Sequence, residues 1–381
     1  MNIGKLNIKY IHAIFILLTV GTTIQVIIAS IGQPIPRYGN YIIFTRSFEH
    51  LIHNQNLYIE FPGIQNDLFK YSPAFATLMA AFFYLPDWLG FLLFQLLNIT
   101  LFLYAVKKIS PDNETNKYIL IYLLLEVAKA LTYCQTNLLI AGLLILAFDA
   151  LEKRNILWGT LFITLTVYIK LFGIVAYALW FLYPKKGQFI AAAISWNVLF
   201  AFMPLIVVNP EQLFTQYQNW YNLLLMDHGG STGISFAGWV QAFSGIELNK
   251  NLITIAAALL FCIPLIKTSC YQYGLFRKFF LASILIWVVI FNHKGESATY
   301  IIALSGVAIW YFLQEKNSIN YILIWLGFLF TTAAGIDLIT PGWIIRKYVN
   351  PYSVEAIGCS LIWLKLVYDQ ITMRHDHFKS L

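Results

Sequence analysis

Long apolar runs broken by short polar stretches cover nearly the whole chain. The runs fall at residues 11–30, 91–106, 118–133, 138–151, 156–169, 171–183, 189–208, 252–266, 279–291, 300–313, 321–336 and 354–371. Most are apolar around the full helical turn, the pattern of helices surrounded by lipid or protein. They predict an all-α, polytopic transmembrane helical bundle of about 12 spans, residues 1–381 forming a single integral membrane domain. An even number of crossings puts both termini on one side. Several limbs are shorter than the roughly 20 residues needed to cross hydrocarbon. Such short helices suit the lining of a water-filled cavity.

Two polar stretches stand apart, residues 31–90 and 209–250, and both are expected to face away from the termini. In the first, Tyr41, Phe44, Phe48 and Leu51 recur at helical spacing, with Arg46, Glu49 and His53 on other faces. That predicts a short amphipathic helix at the membrane interface, with Asn40 as its N-cap. Residues 73–86 are apolar but too short to span alone and predict a second juxtamembrane helix. Cys134-Gln135-Thr136-Asn137 reads as a tight turn, Lys170 as the tip of a helical hairpin, and residues 292–297 as another tip.

Composition sharpens this picture. The chain is 59% hydrophobic and 11% charged, with a mean hydropathy of +0.68. Soluble domains carry about 25% charged residues. The net charge of +7 does not point to nucleic acid, because Lys and Arg are scattered in ones and twos at the ends of apolar runs. Fifteen of them fall on the side of the termini and eight on the other. That bias orients the termini to the cytoplasm of a cytoplasmic membrane. The first run, preceded by Lys5 and Lys9, reads as an uncleaved signal anchor. The four cysteines are far apart, form no CxxC and read as small buried hydrophobes. No zinc, EF-hand, P-loop or GxSxG pattern is present, and no metal or cofactor is expected.

The outward tips collect Arg37, Arg46, Lys70, Lys170, His293, Lys294, Arg346 and Lys347, with Glu49, Asp67, Asp227-His228 and Glu296 nearby. Converging cations with a few carboxylates suit a phosphate-linked substrate. Arg clamps phosphate oxygens, Lys acts as a point charge and a carboxylate serves as base. The bland readings are head-group contacts for Arg346-Lys347, snorkelling for Lys170, a solvated turn for His293 and interface anchoring for Tyr38, Tyr41, Tyr58 and Tyr71.

Four stretches occur in a telling order. They are Asn40-Tyr41-Ile42-Ile43-Phe44 with Asn56-Leu57-Tyr58, Tyr71-Ser72-Pro73-Ala74-Phe75 and Leu85-Pro86; Gln135-Thr136-Asn137; Ile169-Lys170-Leu171; and the His293 region. Their order and spacing over most of residues 1–310 resemble glycosyltransferase family 87. The resemblance implies a GT-C membrane fold and transfer of a hexose, mannose in the typical members, from a polyprenyl-phosphate donor to a glycan or glycolipid acceptor at the outer face. Because the donor is lipid-linked, it implies no nucleotide-binding domain. It places the base on the first outer loop, where the family's Asp falls on Asn40. An amide is no base at neutral pH, so Asp67 is the first substitute, Glu49 the second and Asp227 the third. Arg37, Lys70, Tyr71, Gln135, Asn137, Lys170, Asp227, His228, His293 and Lys294 are the expected substrate-binding residues. A transporter or flippase for lipid-linked sugars, or a non-catalytic subunit of an envelope-assembly complex, needs similar cations and no base.

Overall fold

The computed structural model describes residues 7–65, 67–230 and 232–373, with the side chains of residues 228–230 left out. The terminal Lys5, Arg374 and Lys379, used above to orient the chain, lie outside the described residues. Every regular element among the described residues is helical. The chain forms two compact units. One comprises Met1–Lys108, Val127–Tyr177 and Lys185–Gly230, the other Ile109–Glu126, Ala178–Pro184 and Ser231–Leu381.

In the first unit, helix α1 spans Ile8–Ile28, and Asn7 Oδ1 caps it by accepting from Lys9 N at 3.0 Å. Helix α2, Gly39–Ile52, carries the expected apolar face, with Tyr41, Phe44, Phe48 and Leu51 buried. Its start differs from expectation. Tyr38 holds the cap position without a side-chain bond, and Asn40 lies inside the first turn. The reason is that Asn40 has a distant partner, described below, which outcompetes local capping.

The second juxtamembrane segment divides into α3, Pro73–Leu78, and α4, Ala80–Phe83. Ser72 caps α3, and Pro73 takes the first helical position, where its missing N–H costs nothing. Helix α5, Asp87–Val106, follows, and then α6, Asn113–Thr132, which leads from the second unit into the first. Helices α7 (Asn137–Glu152), α8 (Ile156–Ile169), the short α9 (Gly173–Ala176) and α10 (Lys186–Phe202) continue. Helix α5 packs on α1 and α7, and α8 packs on α7 and α10. At Gly142 of α7, a Cβ would meet Leu101 Cδ2 at 2.6 Å, so the α5–α7 backbones approach as closely as small-residue helix pairs in membranes do.

The first unit ends with α11, Pro210–Gly230, which makes the second polar stretch largely helical. Helix α12, Phe236–Ser244, extends this into the second unit. The remaining helices are α13 (Lys250–Cys262), α14 (Gly274–Ile290), α15 (Tyr300–Phe312), α16 (Ser318–Gly327), α17 (Gly342–Ile344) and α18 (Glu355–Thr372). Helix α14 packs on α15, and α18 packs on α14, α15 and α16. Gly358 of α18 sits against Gly327 of α16, where a Cβ would come within 2.8 Å of the Gly327 Cα.

Among the described residues, three segments are long and apolar enough to cross a bilayer: Ile8–Ile28, Asp87–Val106 and Lys186–Ile206. Cys134, Cys270 and Cys359 are buried as expected, whereas Cys262 is exposed at the end of α13.

Candidate active site

Three of the sequence stretches singled out above meet at Lys170. The last turn of α8 ends at Ile169, and Lys170 follows in extended conformation. Its Nζ lies 3.3 Å from Asn137 Oδ1 and 3.5 Å from Gln135 Oε1. Asn137 Nδ2 in turn donates to Gln135 Oε1 at 2.8 Å, which fixes the amide pair. The ammonium also stands over the rings of Tyr71 at 5.7 Å and Phe172 at 5.6 Å. Amide oxygens and aromatic faces orient an ammonium without cancelling its charge.

The Tyr71 element is tied to the same place by its neighbour. Ser72 Oγ donates to Tyr168 O at 2.5 Å, two residues before Lys170, while accepting from Phe75 N at 3.1 Å. Tyr58 OH donates to Tyr71 O at 3.0 Å, and burial pushes the Tyr58 phenol upward, so it remains the donor. Past Lys170 the chain doubles back so tightly that a Cβ at Gly173 would sit 2.1 Å from Thr166 Oγ1. A residue without a side chain is required there.

The carboxylates occupy two settings. Asp67 accepts from Leu68 N at 2.7 Å and pairs with Lys70 at 3.3 Å. Its side chain is 56% exposed, and three residues separate it from Tyr71. Glu49 belongs to a different group, in which Arg46 lies 3.1 Å from Glu49 and 3.4 Å from Asp87. Asp87 lies in the first turn of α5, and nothing along the chain joins it to Arg46. The Arg37 side chain is exposed, and its backbone N–H donates to Ser30 Oγ at 2.9 Å.

Helix α11 braces this site through residues that sequence reasoning did not single out. Gln212 Nε2 donates to Leu51 O at 2.6 Å. Gln216 Nε2 donates to Gln55 O at 2.6 Å, and Gln216 Oε1 accepts from Leu57 N at 3.2 Å. Trp220 Nε1 donates to Lys70 O at 3.4 Å. Residues 212, 216 and 220 are four apart, a single helical face visible in the sequence. Asp227 is half-buried further along α11, and the His228 side chain lies outside the described residues.

Asn40 anchors the turn that carries the amides. Its Nδ2 donates to Tyr133 O at 2.8 Å. Gln95 Nε2 donates to Leu131 O at 2.7 Å from the α5 side. Cys134 follows with a left-handed φ of 55°. Burial raises its thiol to about 12.

In the second unit, His293 and Lys294 sit on a short tip held by the chain leading into α12. Ile234 N donates to Gly295 O at 2.8 Å, and Tyr300 OH donates to Ile234 O at 3.0 Å. Gly233, at φ +55°, packs so closely that a Cβ would meet His293 O at 2.7 Å. Ser297 Oγ donates to the buried Glu355 carboxylate at 2.7 Å. Among the described residues no three His, Cys, Asp or Glu side chains are grouped to hold a metal ion.

Among the described residues, purely helical elements, three of them apolar and of bilayer length, together with a lysine cradled by amides, have the make-up of a membrane protein that handles a polar or anionic group. The chain belongs to glycosyltransferase family 87, whose sequence pattern matches residues 69–291, more than half its length. It is therefore a glycosyltransferase of a membrane family, acting between a sugar donor and an acceptor. The matched residues include Tyr71, Gln135, Asn137 and Lys170 and begin just after Asp67. No curated protein matches the chain.

Proposed function

We propose that this chain transfers a hexose, mannose first among them, from a polyprenyl-phosphate donor to a hydroxyl of a glycan or glycolipid. The reaction takes place at the outer face of the cytoplasmic membrane, in a GT-C bundle of about twelve spans with both termini inside. One observation carries this reading: Tyr71, Gln135, Asn137 and Lys170, distant in sequence, are gathered around one ammonium.

In this reaction the acceptor oxygen attacks the anomeric carbon while the bond from that carbon to the phosphate oxygen breaks. The acceptor proton passes to Asp67, and the sugar is released from polyprenyl phosphate with inversion. Lys170 stabilises the charge that grows on the departing phosphate. The Gln135 and Asn137 amides hold the ammonium and offer hydrogen bonds to sugar or phosphate. Lys70, 3.3 Å from the Asp67 carboxylate, holds it in place. Glu49, already shared with Arg46, is the second candidate base. Arg37, Asp227, His228, His293 and Lys294 are the further contacts proposed for donor and acceptor.

The test is transfer from polyprenyl-phosphate-mannose and related donors by the purified chain. Lys170→Ala should lower kcat by about 10²–10³, the usual cost of losing a preorganised charge. Asp67→Ala should lower it by about 10²–10⁴, as expected for a lost general base. Donor binding without turnover in the wild type would reject the enzyme, and full activity in Asp67→Ala would reject this base.

A further inference from the structure

The position at which the family resemblance puts a carboxylate is occupied here by a hydrogen-bond donor with a job of its own. Helix α6 ends at Thr132, and the last carbonyls of a helix need partners from outside it. Leu131 O accepts from Cys134 N at 3.2 Å and from Gln95 Nε2, and Tyr133 O accepts from Asn40 Nδ2. Only the amide nitrogen fits toward a carbonyl oxygen, since the reverse orientation would set two acceptors face to face. The next residue, Cys134, takes the left-handed conformation that usually ends a helix at Gly. A side chain there is strained, and such a turn persists when its surroundings over-determine it. Asn40 and Gln95 grip the turn from α2 and α5. The residues it presents next are Gln135 and Asn137, the two amides that meet Lys170.

We infer that Asn40 is a positioning residue: it pins the 133–137 turn through the Tyr133 carbonyl, and through that turn it sets the place of the Lys170 ammonium. The catalytic consequence rests on the glycosyl-transfer reading, whereas the pin does not. An ionised carboxylate at position 40 has no proton to donate and would repel the carbonyl. A protonated one restores the bond. The Asn40→Asp variant should therefore work better as pH falls, the reverse of a general base, which works better as pH rises through its pKa. Ionisable groups on the elements that meet here include Arg37 before α2, Asp87 at the head of α5, Lys129 in the last turn of α6 and Lys170 beyond Gln135. The cations favour the carboxylate and Asp87 opposes it, so they move the midpoint and leave the sign unchanged.

Cys134 reports on the turn without any assay of transfer. Its thiol is buried, and its Sγ lies 3.4 Å from Thr132 O. In the full-length protein in membranes, alkylation of Cys134 by N-ethylmaleimide is read by peptide mass, as a ratio to wild type at each pH. With the pin lost, Asn40→Leu should react about tenfold faster than wild type at pH 8 and just as much faster near about pH 4, the effect of one unmade hydrogen bond. Asn40→Asp should react about tenfold faster at pH 8 and fall toward the wild-type rate as pH drops through the carboxyl range near about 4. Mannosyl transfer by Asn40→Asp, relative to wild type, should recover over the same range. Wild-type labelling rates in both variants at pH 8, or an Asn40→Asp ratio that does not fall on acidification, would overturn the pin. If no form transfers sugar while the labelling behaves as stated, the glycosyl-transfer reading fails and the pin stands. Transfer by Asn40→Asp that rises with pH relative to wild type would make position 40 a base site and overturn the inference.

Discussion

At the scale of single residues, the first polar stretch holds groups of opposite character only a few positions apart. Arg46 and Glu49 on α2 are partly exposed and paired, while His50 is buried with its ring stacked on Phe61 at 3.7 Å between centroids. Burial lowers the His50 pKa, with Arg46 and His53 adding to the effect and Glu49 opposing it. The unfolded chain takes up a proton on this residue below about pH 6.5, before the folded chain does. Between the folded and unfolded values the unfolded state binds more protons, so stability is full above that range and declines as pH falls. The melting temperature should therefore drop between pH 7.5 and 5.5. The variant His50→Phe, which keeps an aromatic ring on Phe61 and cannot titrate, should recover about 2–4 °C of that drop. An unchanged pH dependence in His50→Phe would show that this burial has no part in it.

At the scale of elements, the joint between α2 and α11 is a set of amide bonds. Gln216 serves one donor and one acceptor of the 55–57 backbone, and the Leu57 side chain is buried there. Gln216→Ala should leave both unpaired, at about 1–3 kcal/mol each. Exchange of the Leu57 amide should quicken by about tenfold or more, while amides in α7 keep their rates. The apolar helices were legible in the sequence because burial in lipid or protein writes itself as continuous hydrophobicity. Helix α11 was not, because its Gln212–Gln216–Trp220 face is polar and binds backbone rather than packing apolar side chains. The break between α3 and α4 was also hidden, since nothing in residues 73–86 marks Met79. Of the site, Lys170 stood out as a charge between two apolar limbs, and the Gln135–Asn137 turn by its polarity. Their meeting with Tyr71 did not follow from spacing. Asn40 and Tyr133, like Arg46 and Asp87, are joined across loops whose closure no local pattern encodes.

At the scale of the whole molecule, the ties from α11 to α2 mean that the polar stretches 31–90 and 209–250 share one side of any membrane the chain crosses. In the proposed topology that is the outer side. In a chain bearing Glu60→Cys, a membrane-impermeant maleimide added outside intact cells should label position 60. In a chain bearing Lys153→Cys it should label position 153 only after permeabilisation. Glu60 and Lys153 are both exposed, so access across the membrane decides the result. Labelling of position 153 in intact cells, with protection at 60, would invert the topology.

The bond between Gln216 and Gln55 joins residues 161 positions apart. Ribosomes add about 5–20 residues per second, so the first polar stretch emerges roughly 8–32 s before its clamp is made. For that interval the Gln55 carbonyl and the Leu57 amide must rely on water, and the ground beside the Lys170 ammonium lacks its brace. The site is thus born open and closes from the C-terminal direction. A nascent chain stalled before Pro210 would carry every residue gathered at Lys170 with nothing from α11 to hold the 51–57 turn in place.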